Sequence, residues 1–241
     1  MKKFGLVGGV GYMSTLEYYK GLNEGYQKRL SESQKHFANH SKSGINPPMV
    51  IESLNLAISY ELAQKEDWEG FARLFIEAVD VLRRAGAEFG AIAANTAHIV
   101  FDEIQAASPI TLIGIVDETC KRAKVQGYKK LIIFGTGFTM NSGMYEGKCK
   151  EYDIEAVIPD KAEREIIHNI IFPNLEAGIV LESERKAILN IAQKMIEEHR
   201  ADALVLGCTE LPLAVKNGDL DIPLLDTTAI HIDAILDYLT K

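Results

Sequence analysis

Along the chain, short runs of nearly continuous hydrophobic residues alternate with longer stretches in which apolar side chains recur every three or four positions. The short runs are residues 4–7, 49–55, 90–94, 111–113, 131–135, 156–158, 203–207 and 224–226. Runs of this length with little polar alternation read as strands covered on both faces. The longer stretches, residues 14–30, 68–85, 116–126, 164–177, 184–199 and 228–239, read as amphipathic helices. In the second of them Phe71, Leu74, Phe75, Ala78, Val79 and Leu82 share one helical stripe. Strands alternating with helices predict βαβ units, parallel sheets and an α/β fold. Residues 31–48, rich in Ser, Asn, His and Gly, carry no apolar period. They read either as a binding loop or as a surface excursion.

The pattern also repeats. Phe4-Gly5-Leu6-Val7-Gly8-Gly9 is echoed by Leu131-Ile132-Ile133-Phe134-Gly135-Thr136, and Ala91-Ile92-Ala93-Ala94-Asn95-Thr96 by Leu204-Val205-Leu206-Gly207-Cys208-Thr209. Two similar lobes follow from this, and ligands of open parallel sheets bind at the carboxyl ends of strands. The expected division is residues 1–113 with 224–241 in lobe 1, and 114–223 in lobe 2.

Composition narrows the function. With 47% hydrophobic residues in 241, there is material for a sizeable core, and 34 acidic against 26 basic residues argue against a nucleic-acid partner. No run reaches the ~18 apolar residues of a membrane span, and the basic start MKKFGLVGG lacks a signal-peptide cleavage site. Cys120, Cys149 and Cys208 are three and scattered, which suits a reducing cytoplasm and offers neither a disulfide framework nor a metal pair.

Three segments carry candidate chemistry. Gly8-Gly9-Val10-Gly11 falls short of the G-x-G-x-x-G spacing of a dinucleotide site and reads as a tight turn into a helix near Ser14 or Thr15. Asn95 and Thr96 stand where a buried strand meets a helix, so they can cap that helix or hold a carboxylate. Cys208 follows a buried strand and a glycine. Helix N-termini and nearby cations lower a thiol's pKa, so a thiolate fits this spot. Cys120 and Cys149 fall in helical patterns and read as packing residues.

The turn GLVGGVGYMSTLEYY, the central Asn-Thr-Ala-His, GTGFTMNSGMY, GCTEL and the terminal DTTAIH, in this order over essentially the whole chain, resemble the aspartate/glutamate racemase family. The resemblance implies two pseudo-symmetric Rossmann-like lobes with parallel sheets and an active site in the cleft between them. It also implies PLP-independent, metal-free racemisation of a small amino acid, most naturally aspartate or glutamate, by a cytoplasmic homodimer. In such racemases two cysteines face opposite sides of the α-carbon, one as thiolate and one as thiol. The second maps onto Cys208, but the first falls on Ala94, whose methyl group can neither take nor give a proton. An engineered Cys-to-Ala change, another group or a water on that face, and lost racemisation all account for this. His98 and Glu210 are the titratable residues nearest in sequence. The resemblance further implies that Asn95, Thr96, Thr139 and Thr209 hold the substrate's carboxylate, with Thr136, Ser53 and Met13 as companions. Basic residues that meet an acidic side chain are missing at 46–49, and their second position is taken by Glu176 or Ala177. Lys42 and Lys161 remain as substitutes if their loops fold over the site. The rival reading is a non-catalytic amino-acid or carboxylate binder on the same fold.

Overall fold

A computed structural model describes residues 2–30 and 45–240. Lys42 and most of the irregular segment at 31–48 lie outside the described residues. Eight strands appear among the described residues: β1 (Phe4–Gly8), β2 (Met49–Ser53), β3 (Phe89–Ile92), β4 (Thr111–Ile113), β5 (Lys130–Gly135), β6 (Glu155–Val157), β7 (Ala203–Gly207) and β8 (Leu224–Asp226). They form two four-stranded sheets, ordered β2-β1-β3-β4 and β6-β5-β7-β8, with every pairing parallel. The order is the same in both, as the repeated strand ends lead one to expect.

The helices are α1 (Tyr12–Arg29), α2 (Leu56–Gln64), α3 (Trp68–Arg84), α4 (Phe101–Ala107), α5 (Ile115–Val125), α6 (Gly137–Asn141), α7 (Met144–Glu151), α8 (Lys161–Ile171), α9 (Glu182–His199), α10 (Leu211–Ala214) and α11 (Thr227–Thr240). Short 3₁₀ turns cover Thr96–Val100 and Leu175–Ala177. The helix expected over 164–177 ends early, because Phe172 precedes Pro173 and adopts the extended conformation such a position demands. Its start is earlier too, since Asp160 and Glu163 form a reciprocal capping box.

The chain divides into two compact units, Met1–Ala93 with Val100–Gly114 and His231–Lys241, and Ala94–Ile99 with Ile115–Ile230. Residues 224–230 thus go with the second unit rather than the first, because β8 pairs with β7. The 94–99 segment joins it as well.

Within each unit the strands alternate faces with period two. In the first, Phe4 and Leu6 of β1 pack with Tyr18, Leu22 and Tyr26 of α1 and with Ile235 and Leu236 of α11. Gly5, on the other face, leaves room for Leu82 and Ala87: a Cβ on it would stand 2.9 Å from the Ala87 Cβ. In the second unit Ile132, Phe134, Leu204 and Leu206 meet Ile167, Ile171, Ile188 and Ala192 of α8 and α9. Leu131, Ile133, Ala203 and Val205 face α5 and α7 instead. Both faces of each central strand are covered, which is why these segments lack polar alternation.

The turn after β1 is built around Gly9. Its φ is +80°, and a Cβ there would collide with the backbone of Leu54. Its N–H donates to Thr15 Oγ1 at 2.8 Å, and Ser14 Oγ donates to the Ala93 carbonyl at 2.6 Å. The dinucleotide-like glycines therefore make a tight entry into α1. Gly127 has the same φ of +80° but open space around it. Gly127→Ala is expected to cost about 1–2 kcal/mol of backbone strain, and Gly9→Ala at least twice as much; equal midpoints for both variants in urea denaturation would contradict this account.

Candidate active site

The chemistry-bearing residues of the second unit collect at the carboxyl ends of β5, β7 and β8. Gly135 and Gly207 are partners in register and end their strands. A Cβ on Gly135 would lie 2.9 Å from Thr139 Cγ2 and 3.1 Å from the Gly207 carbonyl, so Thr139 sits directly over two bare strand ends. Thr136 caps α6, its Oγ1 accepting the Thr139 N–H at 3.2 Å. The hydroxyls of Thr96, Thr136 and Thr139 then stand 3.2–3.5 Å from one another. Three hydroxyls converging on one point suit the oxygens of a carboxylate.

Asn95 is buried and does not cap with its side chain. Its Oδ1 accepts the Tyr145 hydroxyl at 2.7 Å, and its Nδ2 donates to Thr227 Oγ1 at 3.1 Å. Thr227 in turn donates to the Leu206 carbonyl at 2.9 Å. Asn95 is thus locked to strand β7 through a buried chain of polar groups, and its second amide hydrogen is not used by any described residue.

Cys208 and Glu210 form a buried pair, 7% and 3% exposed. The thiol donates to Glu210 Oε2 at 2.9 Å, and the Thr209 hydroxyl donates to the same oxygen at 2.6 Å. Glu210 Oε1 has no hydrogen-bond partner. Burial, and then the charge and hydrogen bond of Glu210, push the Cys208 thiol well above its ordinary range. The expected thiolate is therefore replaced by a resting thiol: no cation among the described residues offsets the carboxylate at the sulfur. Glu176, whose turn packs against α10, is pushed up to about 7 by burial and by the charge of Glu210. Among the described residues two carboxylates, Glu210 and Glu176, and no basic residue act on this sulfur.

Ala94 is buried, and its carbonyl accepts from His98 Nδ1 at 2.9 Å. His98 Nε2 accepts the Ile115 N–H at 3.0 Å, so the ring is the neutral tautomer protonated on Nδ1. Burial holds its pKa down to about 4, against the smaller opposing effect of the backbone groups of Ala94 and Asn95. With both nitrogens committed to the main chain, His98 is a latch and not a base for the Ala94 face. Cys120 and Cys149 are fully buried packing residues, but the fold brings their sulfurs 3.3 Å apart, which their spacing of 29 positions conceals.

Met13, in the first turn of α1, and Ser53, at the exposed end of β2, belong to the first unit. The other expected residues, Ala94, Asn95, Thr96, Thr136, Thr139, Cys208 and Thr209, all lie in the second. Lys161 opens α8. Glu210 and Tyr145 are the partners that sequence reasoning underused; a carboxylate two residues after the cysteine was the available signal.

A family model described as Asp/Glu/Hydantoin racemase matches residues 7–235. The chain belongs to this family. It is 28% identical over 166 residues to a broad specificity amino-acid racemase of Bacillus subtilis, covering 68% of this chain and 70% of that one. A glutamate racemase of Enterococcus faecalis is 31% identical over 173 residues, 67% of this chain and 61% of the relative. The crystal structure of an aspartate racemase homologue from Pyrococcus horikoshii superposes with a TM-score of 0.82 at 32% identity, covering 100% of both chains. Family membership supports an amino-acid racemase, an isomerase, acting on a small amino acid. No helix among the described residues is long and apolar enough to cross a membrane.

The His98 latch has a measurable pH signature. Its folded pKa of about 4 lies below the ordinary 6.5, so its contribution is fully present above pH 6.5 and is lost as pH falls towards 4. The loss amounts to about 3 kcal/mol at ~1.4 kcal/mol per unit. His98→Asn should lower stability at neutral pH by about 1–3 kcal/mol through the stranded Ile115 N–H and remove this portion of the pH dependence. Chemical denaturation of both proteins at pH 7.5, 5.5 and 4.5 is the check; parallel curves would rule the latch out.

Proposed function

We propose that this racemase family member moves the α-proton of an amino acid without a cofactor, with Cys208 as the group that touches the α-carbon. The observation that carries the reading is the buried Cys208–Glu210 pair at 2.9 Å on the strand end adjoining the threonine hydroxyls. A thiol in this setting is converted to its working form by passing its proton to the Glu210 carboxylate. The thiolate then takes the α-proton, the Cα–H electron pair moves into the substrate's carboxylate, and the S–H bond is remade. Donors from Thr96, Thr136, Thr139 and Asn95 stabilise the charge that develops there. Thr209 supports Glu210 through its hydroxyl and completes the polar shell around the sulfur.

On the opposite face Ala94 offers no side-chain base, so a water gives its proton to the carbanion there, and the hydroxide left is neutralised by the proton that Glu210 took from the thiol. The substrate is proposed to be a small amino acid, and aspartate or glutamate remain the family's pointer. With Glu176 and Glu210 near the sulfur, and no basic residue at 46–49, affinity for a second carboxylate is expected to be weak. Cytoplasmic location and a homodimer belong to the same proposal and rest on family likeness.

In D2O, wash-in of deuterium at the α-carbon is expected to be fast for one enantiomer and to retain its configuration, with net racemisation about 10²- to 10⁴-fold slower. Cys208→Ser should abolish the exchange, and Ala94→Cys should raise net racemisation towards the rate of exchange. NMR of an amino-acid panel separates the outcomes: binding without exchange for every member, or exchange indifferent to Cys208→Ser, rejects the proposal.

Glu210→Gln keeps the shape of the pair and removes the charge that raises the thiol. The thiolate of Cys208, followed by its ultraviolet absorbance, should form at lower pH in this variant. An unchanged titration would show that burial alone governs the sulfur.

A further inference from the structure

Away from the sulfur, the second unit holds a cavity of about 280 Å³ between α6 and α8. Gly137, Phe138 and Asn141 line it from α6, and Lys161, Arg164 and His168 from α8, with Glu165 also on its wall. Thr139, which carries one of the three clustered hydroxyls, lies on the opposite side of α6 by helical periodicity, and it is buried where Asn141 is exposed. The cavity and the hydroxyl cluster are therefore served by different faces of one short helix.

The cavity wall carries two cations, Lys161 and Arg164, against one carboxylate, the exposed Glu165, together with the amide of Asn141 and the imidazole of His168. The Nε–H of Arg164 is sealed from solvent and donates to nothing. No described residue forms an ion pair with Arg164 or Lys161. His168 Nδ1 accepts the Gly137 N–H at 3.2 Å, which leaves the ring proton on Nε2. Burial keeps the imidazole pKa below its ordinary value, so the neutral ring is held in that tautomer, edge-on between Phe138 and Phe172. Two unpaired cations and an imidazole N–H on one small cavity stand out in a chain whose formal net charge is -8. The volume lies just below the ~300–1,000 Å³ of sites for drug-sized molecules, which fits an anion of a few heavy atoms. Arginine's planar donor set matches carboxylate and phosphate oxygens alike.

We propose that this cavity binds a small oxyanion, a carboxylate or a phosphate, held by Arg164, Lys161 and the Nε2–H of His168, at a site separate from Cys208. Because His168 also holds the N–H of Gly137, the residue after Thr136, an anion seated here stiffens the start of α6 and so the hydroxyl cluster it caps.

Inorganic phosphate and malonate, titrated separately against potassium chloride of equal ionic strength, should raise the melting temperature saturably. Arg164→Gln should weaken the apparent affinity at least tenfold and Lys161→Gln several-fold, whereas Arg164→Lys should retain part of it and guard against a folding defect in the glutamine variant. Cys208→Ser should bind as the unaltered protein does. Saturation by phosphate alone or malonate alone supports the site and assigns its chemistry, and saturation by both supports the shared one. A response matched by potassium chloride, one equal in Arg164→Gln, or one lost in Cys208→Ser overturns the proposal.

Discussion

The candidate site depends on two strands ending in glycine side by side. Gly135 and Gly207 are register partners, and the space where their Cβ atoms would be is taken by Thr139 and by the neighbouring strand's carbonyls. A methyl group on Gly135 would press on Thr139 and lift α6 off the sheet, and with it the hydroxyls of Thr136 and Thr139, whereas one on Gly207 would meet the Phe134 carbonyl at 2.7 Å and push the two strands apart. The first unit uses the same device: Gly8 ends β1, and a Cβ on it would stand 2.6 Å from Thr15 Oγ1. Close helix entry over a bare strand end is thus the repeated element. It explains why Gly8 and Gly135 are each followed within two helical turns by a threonine that packs on the bare strand end, Thr15 and Thr139.

From this follows the arrangement of polar groups in the second unit. Strand ends bring Asn95, Thr96, Thr136, Thr139, Cys208 and Thr227 together, and the buried chain from Tyr145 through Asn95 and Thr227 to the Leu206 carbonyl fixes their spacing. Every hydrogen bond in that chain is shielded from water, so its members are held in one geometry before a ligand arrives. Preorganised donors are what a reaction that builds negative charge on a carboxylate requires.

All eight strands were legible because each is short, continuous and bounded by polar or glycine residues. The long helices were legible from their stripes, such as Phe71, Phe75, Val79 and Leu82. Helices α2, α4, α6 and α10 were not, being too short for a period of 3.6 to declare itself, and α7 was legible only as the helical pattern around Cys149. Pro173 bounds α8, a signal masked in the sequence by the apolar stripe that continues past it to Leu175. At the site, the identity of the residues was legible but their electrostatics were not. Cys208 looked ready to ionise because a strand end and a following helix are visible in sequence, whereas the depth of burial and the turn of Glu210 back towards the sulfur are tertiary facts. Likewise, nothing local reveals that His98 spans from the Ala94 carbonyl to the Ile115 N–H.

The protonated state of Cys208 has a consequence beyond turnover. Oxidants and electrophiles attack thiolates, not thiols, and all three cysteines of this chain are buried. A sulfur that rests as the thiol under a carboxylate is chemically durable. It forgoes the standing reactivity of an exposed thiolate and keeps its proton until a bound molecule changes the surroundings.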